Sequence, residues 1–143
     1  ALIIYDSTYG NTEKIAQAIG GQVLRASEVD AADLQGFDLL IVGSPTHGGW
    51  FTPEIQSWLM ALPALEGVSV AAFDTRTVSK IGALLFGFAA PRIAKSLERN
   101  GGKLLAPPEG FVVLGIQGPL KDGELERAAA WARHIITTQR ERS

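Results

Sequence analysis

Short runs of apolar residues, continuous rather than alternating, recur along this chain and are separated by stretches with helical spacing. Residues 1–5 form the first run and residues 38–43 the strongest. Neither run offers a polar face, which is the pattern of strands covered on both sides in a parallel sheet. Residues 22–25 and 68–74 read as further strands. Residues 103–106 and 111–115 read as two pieces of one strand, broken at Pro107-Pro108. Between these runs the period changes. Ile15 and Ile19 share one helical face, and Thr52-Pro53 opens a helix that carries Ile55, Trp58, Leu59 and Leu62. A helix over 90–99 stops at Asn100-Gly101-Gly102, and a last one over 122–139 has Leu125, Ala128, Ala129, Ala132, Ile135 and Ile136 as its apolar stripe. Residues 81–88 fit neither period, because Gly82 and Gly87 interrupt Leu84, Leu85, Phe86 and Phe88. Part of that run is expected at the surface, where it would dock a partner, a second subunit or an apolar substrate.

Strands alternating with helices predict one α/β domain over residues 1–143, doubly wound, with a five-stranded parallel sheet and helices on both faces. Right-handed crossovers favour the strand order 2-1-3-4-5. Ligands of such sheets bind at the carboxyl ends of the strands, beside the point where the order reverses. The loops brought together there are 6–12, 44–52 and 74–80.

Composition narrows the chemistry. The chain has 143 residues, and thirteen Lys and Arg against fifteen Asp and Glu give a formal charge of −2. A protein that neutralises nucleic-acid phosphates carries an excess of basic residues, so that class is excluded. No cysteine is present. Disulfides, thiolate metal sites and a thiol nucleophile are excluded with it, and redox chemistry would have to come with a bound cofactor. No apolar run approaches membrane-spanning length and no leader pattern precedes Ala1, so a cytoplasmic protein is expected. The charge is unevenly placed, with a net −6 over residues 1–70 and a net +4 over residues 71–143.

The first loop is the most informative. Asp6-Ser7-Thr8-Tyr9-Gly10-Asn11-Thr12 joins a strand to a helix, whose N-terminal amides and dipole favour an anion. The hydroxyls of Ser7, Thr8 and Thr12 and the Asn11 amide could complete a phosphate cradle without lysine or metal, and Gly10 permits the tight turn. A Walker loop is excluded because the Gly-Lys pair precedes Leu104, and a dinucleotide fingerprint because this turn has one glycine. A receiver domain is excluded because Gly43-Ser44-Pro45 stands where its Asp belongs. His47 and His134, the two histidines, cannot assemble a metal centre.

The Ser7–Thr12 loop resembles the phosphate loop of the flavodoxin family, in the version carried by the flavodoxin-like domains of flavodiiron proteins. Val42-Gly43-Ser44-Pro45-Thr46, followed by Gly48-Gly49 and the Thr-Pro helix start, is similar to that family's flavin-edge loop. Gly118-Pro119-Leu120 and residues 122–127 resemble the approach to its last helix, and the uninterrupted fifth strand resembles the short-chain type. The resemblance implies FMN as cofactor, with Ser7, Thr8, Tyr9, Gly10, Asn11 and Thr12 around its phosphate. It also implies Pro45, Thr46, His47, Gly48, Gly49 and Trp50 along the flavin edge, with Trp50 stacking and a backbone carbonyl of the loop turning toward N5 when one electron is taken up. The third loop, Asp74-Thr75-Arg76, departs from the family, which usually has an aromatic residue there to cover the outer flavin face. Arg76 in that place predicts a less negative second reduction potential than that of an acidic carrier. The function implied is electron transfer to a redox partner protein or a small-molecule acceptor. The alternatives are a flavodoxin-like reductase acting on quinone or protoporphyrinogen, and an interaction module without cofactor.

Overall fold

The computed structural model describes residues 1–78 and 87–142. Four parallel strands, β1 (Leu2–Tyr5), β2 (Gln22–Arg25), β3 (Leu39–Pro45) and β4 (Ser69–Thr77), are joined by β5 (Lys103–Leu104) and β6 (Glu109–Val113). The order is β2-β1-β3-β4-β5, and β6 also pairs with β4. Ser69 and Val70 register with Lys103 and Leu104, whereas Phe73 to Thr77 register with Glu109 to Val113. The two pieces therefore occupy one strand position, as the proline break between them predicts. This is the doubly wound order expected from the sequence.

Period two sorts the sheet's side chains. Leu2, Ile4, Leu40, Val42, Val70 and Ala72 face the helices α2 (Pro53–Met60) and α3 (Ala89–Arg99). Ile3, Tyr5, Leu39, Ile41, Ala71 and Phe73 face α1 (Asn11–Ile19) and α4 (Glu124–Arg142). Both faces are covered, so continuous apolar strands are what the packing demands. At the start of α2 the Thr52 hydroxyl accepts the Ile55 amide at 3.4 Å, with Pro53 in the first turn.

Helix α4 sits in a different rotation from the one its apolar pattern suggests. Leu125 is 42% exposed, while Glu124 is buried and Trp131 packs into the core. The reason is polar. The Glu124 carboxylate accepts the Val112 amide at 2.7 Å and two bonds from Arg127, whose guanidinium lies over the Phe111 ring at 4.5 Å. These bonds, of which Arg127's is the leading cause, hold the Glu124 carboxyl below the usual carboxylate range. The stripe that docks on the sheet is Ala128, Trp131, Ala132 and Ile135. Apart from Gly87 and Phe88, the docking run expected over 81–88 lies outside the described residues.

Candidate functional site

The carboxyl ends of the strands are brought level by the register. Tyr5 stands beside Gly43, Pro45 beside Thr75, and Thr77 beside Val113. Above them opens a cleft of about 290 Å³, whose walls come from the loops after β1, β3, β4 and β6.

The first loop turns on Gly10, whose φ of 90° is the left-handed conformation that glycine adopts without strain. Glycine at this N-cap offers no side chain to α1. Ser7 substitutes in part, its Oγ accepting the amides of Gly10 at 3.0 Å and Glu13 at 3.4 Å. The amides of Asn11 and Thr12, in the same first turn, find no protein acceptor among the described residues. Thr12 is buried, and its Oγ1 lies 2.8 Å from that of Thr75, so the loops after β1 and β4 are joined hydroxyl to hydroxyl. Asn11 lines the cleft too, and its side chain donates from Nδ2 to the Gln117 carbonyl at 3.3 Å. Thr8 and Tyr9 line the open side, with Thr8 Oγ1 3.4 Å from His47 Nε2.

The second loop folds back at His47-Gly48-Gly49-Trp50. His47 and Trp50 exchange both backbone hydrogen bonds, at 2.8 and 3.1 Å, and Gly48 and Gly49 have φ of 57° and 81°. Two positive φ values in a two-residue turn explain the glycine pair. Pro45, Thr46, His47 and Gly48 line the cleft. Gly49 and Trp50 do not: Arg92 Nε donates to the Gly49 carbonyl at 2.8 Å, and its guanidinium lies over the Trp50 ring at 4.2 Å. Trp50 is 44% exposed, with Arg92 and Phe51 against its ring.

The third loop holds an ion pair whose acid is fully buried. Arg76 Nε and Nη2 donate to Asp74 Oδ1 and Oδ2 at 2.7 and 2.8 Å, and the guanidinium lies on the Phe88 ring at 3.6 Å. Asp74 Oδ2 also accepts the Ala90 amide at 2.8 Å, while Thr46 Oγ1 accepts that of Ala89 at 3.1 Å. Thr46 and Asp74 therefore secure the first turn of α3. Burial pushes the Asp74 carboxyl above its ordinary range, against the opposing pull of Arg76, the Ala90 amide and Thr46. Thr75 and Arg76 line the cleft, but Arg76 turns its donor fork to Asp74, and the cation expected to face the ring is largely neutralised in place.

Thr77, inside the third loop expected at the site, also lines the cleft, and sequence reasoning missed Val113 and Ile116, which complete the lining. Their signal is present in the chain, because the loop after the fifth strand ends on the same edge of the sheet. No three acid or histidine side chains gather as metal ligands among the described residues. No helix among them is long and apolar enough to cross a membrane.

The family model described as a flavodoxin domain matches residues 2–105. The chain belongs to the flavodoxin family. A flavodoxin of Picosynechococcus is 36% identical over 90 residues, covering 57% of this chain and 49% of that protein. The chain thus spans about half the length of this curated relative. Flavodoxin 2 of Bacillus cereus is 25% identical with a TM-score of 0.78, covering 95% of this chain and 97% of that one. The flavodiiron core of Synechocystis gives a TM-score of 0.72 at 19% identity, covering 99% of this chain but 36% of its own. The cofactor of the flavodoxin family is FMN, and two features of the cleft fit it. Hydroxyls and unpartnered amides converge at the head of α1, as a phosphate requires, and the volume lies near the lower end of small-ligand pockets.

Proposed function

We propose that this chain binds FMN in the cleft above β1, β3 and β4 and carries single electrons to a redox partner protein. The observation that supports this best is the head of α1, where the Asn11 and Thr12 amides lack acceptors among the described residues, beside the hydroxyls of Ser7, Thr8 and Thr12. In this reading the phosphate lies in the loop from Ser7 to Thr12. Pro45, Thr46, His47 and Gly48 border the flavin edge, and Thr75, Arg76, Val113 and Ile116 supply the remaining wall. Gly49, Trp50 and Asp74 frame these contacts from behind. When bound, FMN supplies one-electron chemistry, and the protein's own task is to bind it, orient it and leave one edge open. Among the described residues, the side chains lining the cleft include no carboxylate and one imidazole, that of His47. That favours a carrier over a reductase with its own acid–base machinery. A cysteine-free chain suits a reducing compartment, the cytoplasm, where the partner would be met.

The test is titration of the apoprotein with FMN, FAD and riboflavin, followed by flavin fluorescence. FMN should bind tightest, and a protein with no preference for FMN would overturn the reading. Thr12→Ala sharpens it. The Thr12 and Thr75 hydroxyls own two protons and use one between them, which leaves the other for a ligand. Losing a hydrogen bond to a charged group costs about 1.5–3 kcal/mol, so FMN affinity should fall roughly tenfold or more. Riboflavin affinity should hardly change. Equal losses would assign Thr12 to holding Thr75 alone.

A further inference from the structure

The phosphate loop is also gripped from outside the cleft. Arg25, the last residue of β2, donates from Nη1 to Asp6 Oδ1 at 3.1 Å and to the Ser7 carbonyl at 3.0 Å. Its guanidinium lies 5.2 Å from the centre of the Tyr5 ring, and the Tyr5 hydroxyl in turn donates to Glu13 Oε1 at 2.7 Å. Two carboxylates, Asp6 and Glu13, therefore stand around the loop, and Asp6 is 8% exposed.

We propose that Arg25 is the positioning residue of this loop and sets its preference for a phosphate-bearing flavin over one without phosphate. The inference rests on the FMN reading above and adds two physical consequences of the Arg25 contacts. A peptide is planar and trans, so its C=O and N–H point in opposite directions. Holding the Ser7 carbonyl toward Arg25 turns the Thr8 N–H away from it, on the side where Thr8 lines the cleft. Arg25 thus aims a donor without touching the ligand. The second consequence is electrostatic. A buried carboxylate at Asp6 with no partner would repel a phosphate dianion, and the Arg25 charge cancels it. The guanidinium suits both tasks, because its charge is permanent and one end of its fork reaches a carboxylate and a carbonyl together.

The experiment compares FMN and riboflavin affinities of the apoprotein for wild type, Arg25→Met, Arg25→Lys and Asp6→Asn/Arg25→Met, with thermal melting as the check on folding. Arg25→Met should lower FMN affinity about tenfold or more while riboflavin stays within about threefold. The double variant should regain part of the FMN affinity, because the unpaired carboxylate is gone, but not all, because the Thr8 amide is no longer aimed. Arg25→Lys keeps the charge and loses the fork, so its FMN-to-riboflavin ratio should fall between the two. Should Arg25→Met fail to fold, that intermediate ratio carries the test. A wild type without preference for FMN sinks the FMN reading itself. A wild type that prefers FMN, with variants that keep the full preference or lose both ligands equally, overturns the role of Arg25 alone.

Discussion

Replacing Arg76 by Met should destabilise the fold by about 3 kcal/mol or more at pH 7, with the loss shrinking as the pH falls toward 4. The side chain of Asp74 is fully buried and that of Arg76 is 20% exposed, so the pair is shielded from solvent. Met retains an unbranched apolar stem, and what disappears is the charge, the fork and the guanidinium's stacking on Phe88. Removing one partner of a buried pair strands the other, which is why the cost exceeds that of a surface ion pair. The slot is built for arginine: a Cβ at Gly110 would lie 2.1 Å from Arg76 Cζ, so the strand backbone runs directly against the guanidinium.

The pH dependence follows from Asp74. An acid whose folded pKa lies above its unfolded one binds its proton better in the fold. Its stabilising contribution is full below the unfolded value, about 3.9, and is lost as the pH rises through the folded value. Burial already raises Asp74, and Arg76 is the first of the groups that oppose it. Without Arg76 the folded value climbs further, so the variant loses most stability near neutrality and recovers toward acid. Urea unfolding at pH 7 and pH 5 measures this directly. A second substitution, Asp74→Asn, should return part of the stability at pH 7, because no charge is then stranded. An equal gap at both pH values, with no gain from Asp74→Asn, would show that Asp74 is not left as a buried anion.

The central strands β1 and β3 and the first half of β4 were legible in the sequence because both faces of a parallel sheet are dry there, so each is a bare apolar run. The edge on which the cleft opens followed from topology, and hydroxyls crowded at a helix start beyond what capping uses singled out the first loop, which lines that cleft. Side-chain destinations were harder. Thr46 and Asp74 face the right loops, yet they secure the amides of α3, an element 43 and 16 residues further on. Trp50 has the chemistry of a stacking residue, but Arg92 from the same helix lies across its ring. The rotation of α4 cannot be read through Leu125, because the bonds from Glu124 to Val112 and Arg127 outweigh one apolar side chain. Arg25 carried no local signal at all, since its partners Asp6 and Ser7 lie on the neighbouring strand's exit. Apolar periodicity reports burial, whereas these contacts depend on which polar groups the topology makes neighbours.

Phe73→Ala should cost about 3–5 kcal/mol, and Gly43→Ala, about 1–3 kcal/mol alone, should cost little more once Phe73 has been removed. Phe73 is fully buried on β4, and Gly43 stands opposite it on β3. A Cβ at Gly43 would lie 2.1 Å from Phe73 Cζ and 2.4 Å from both Cε atoms, so the far end of the ring rests on the glycine backbone. The ring cannot retreat. It meets Phe111 at 6.0 Å and Trp131 at 6.1 Å, both edge-on, and those two rings meet each other at 5.9 Å. Three mutually braced aromatics therefore fix the spacing of β3, β4, β6 and α4 directly beneath the cleft. The Gly43 carbonyl also accepts the Asp6 amide at 3.2 Å, which ties this packing to the start of the loop after β1. With Phe73 truncated, the methyl that Gly43→Ala introduces occupies part of the vacated space, so the two costs should fall short of additivity by about 1–3 kcal/mol. A double-mutant cycle by urea unfolding reads that coupling. Strict additivity would mean that the Phe73 ring leaves the glycine face in solution, and Gly43 would then need another explanation.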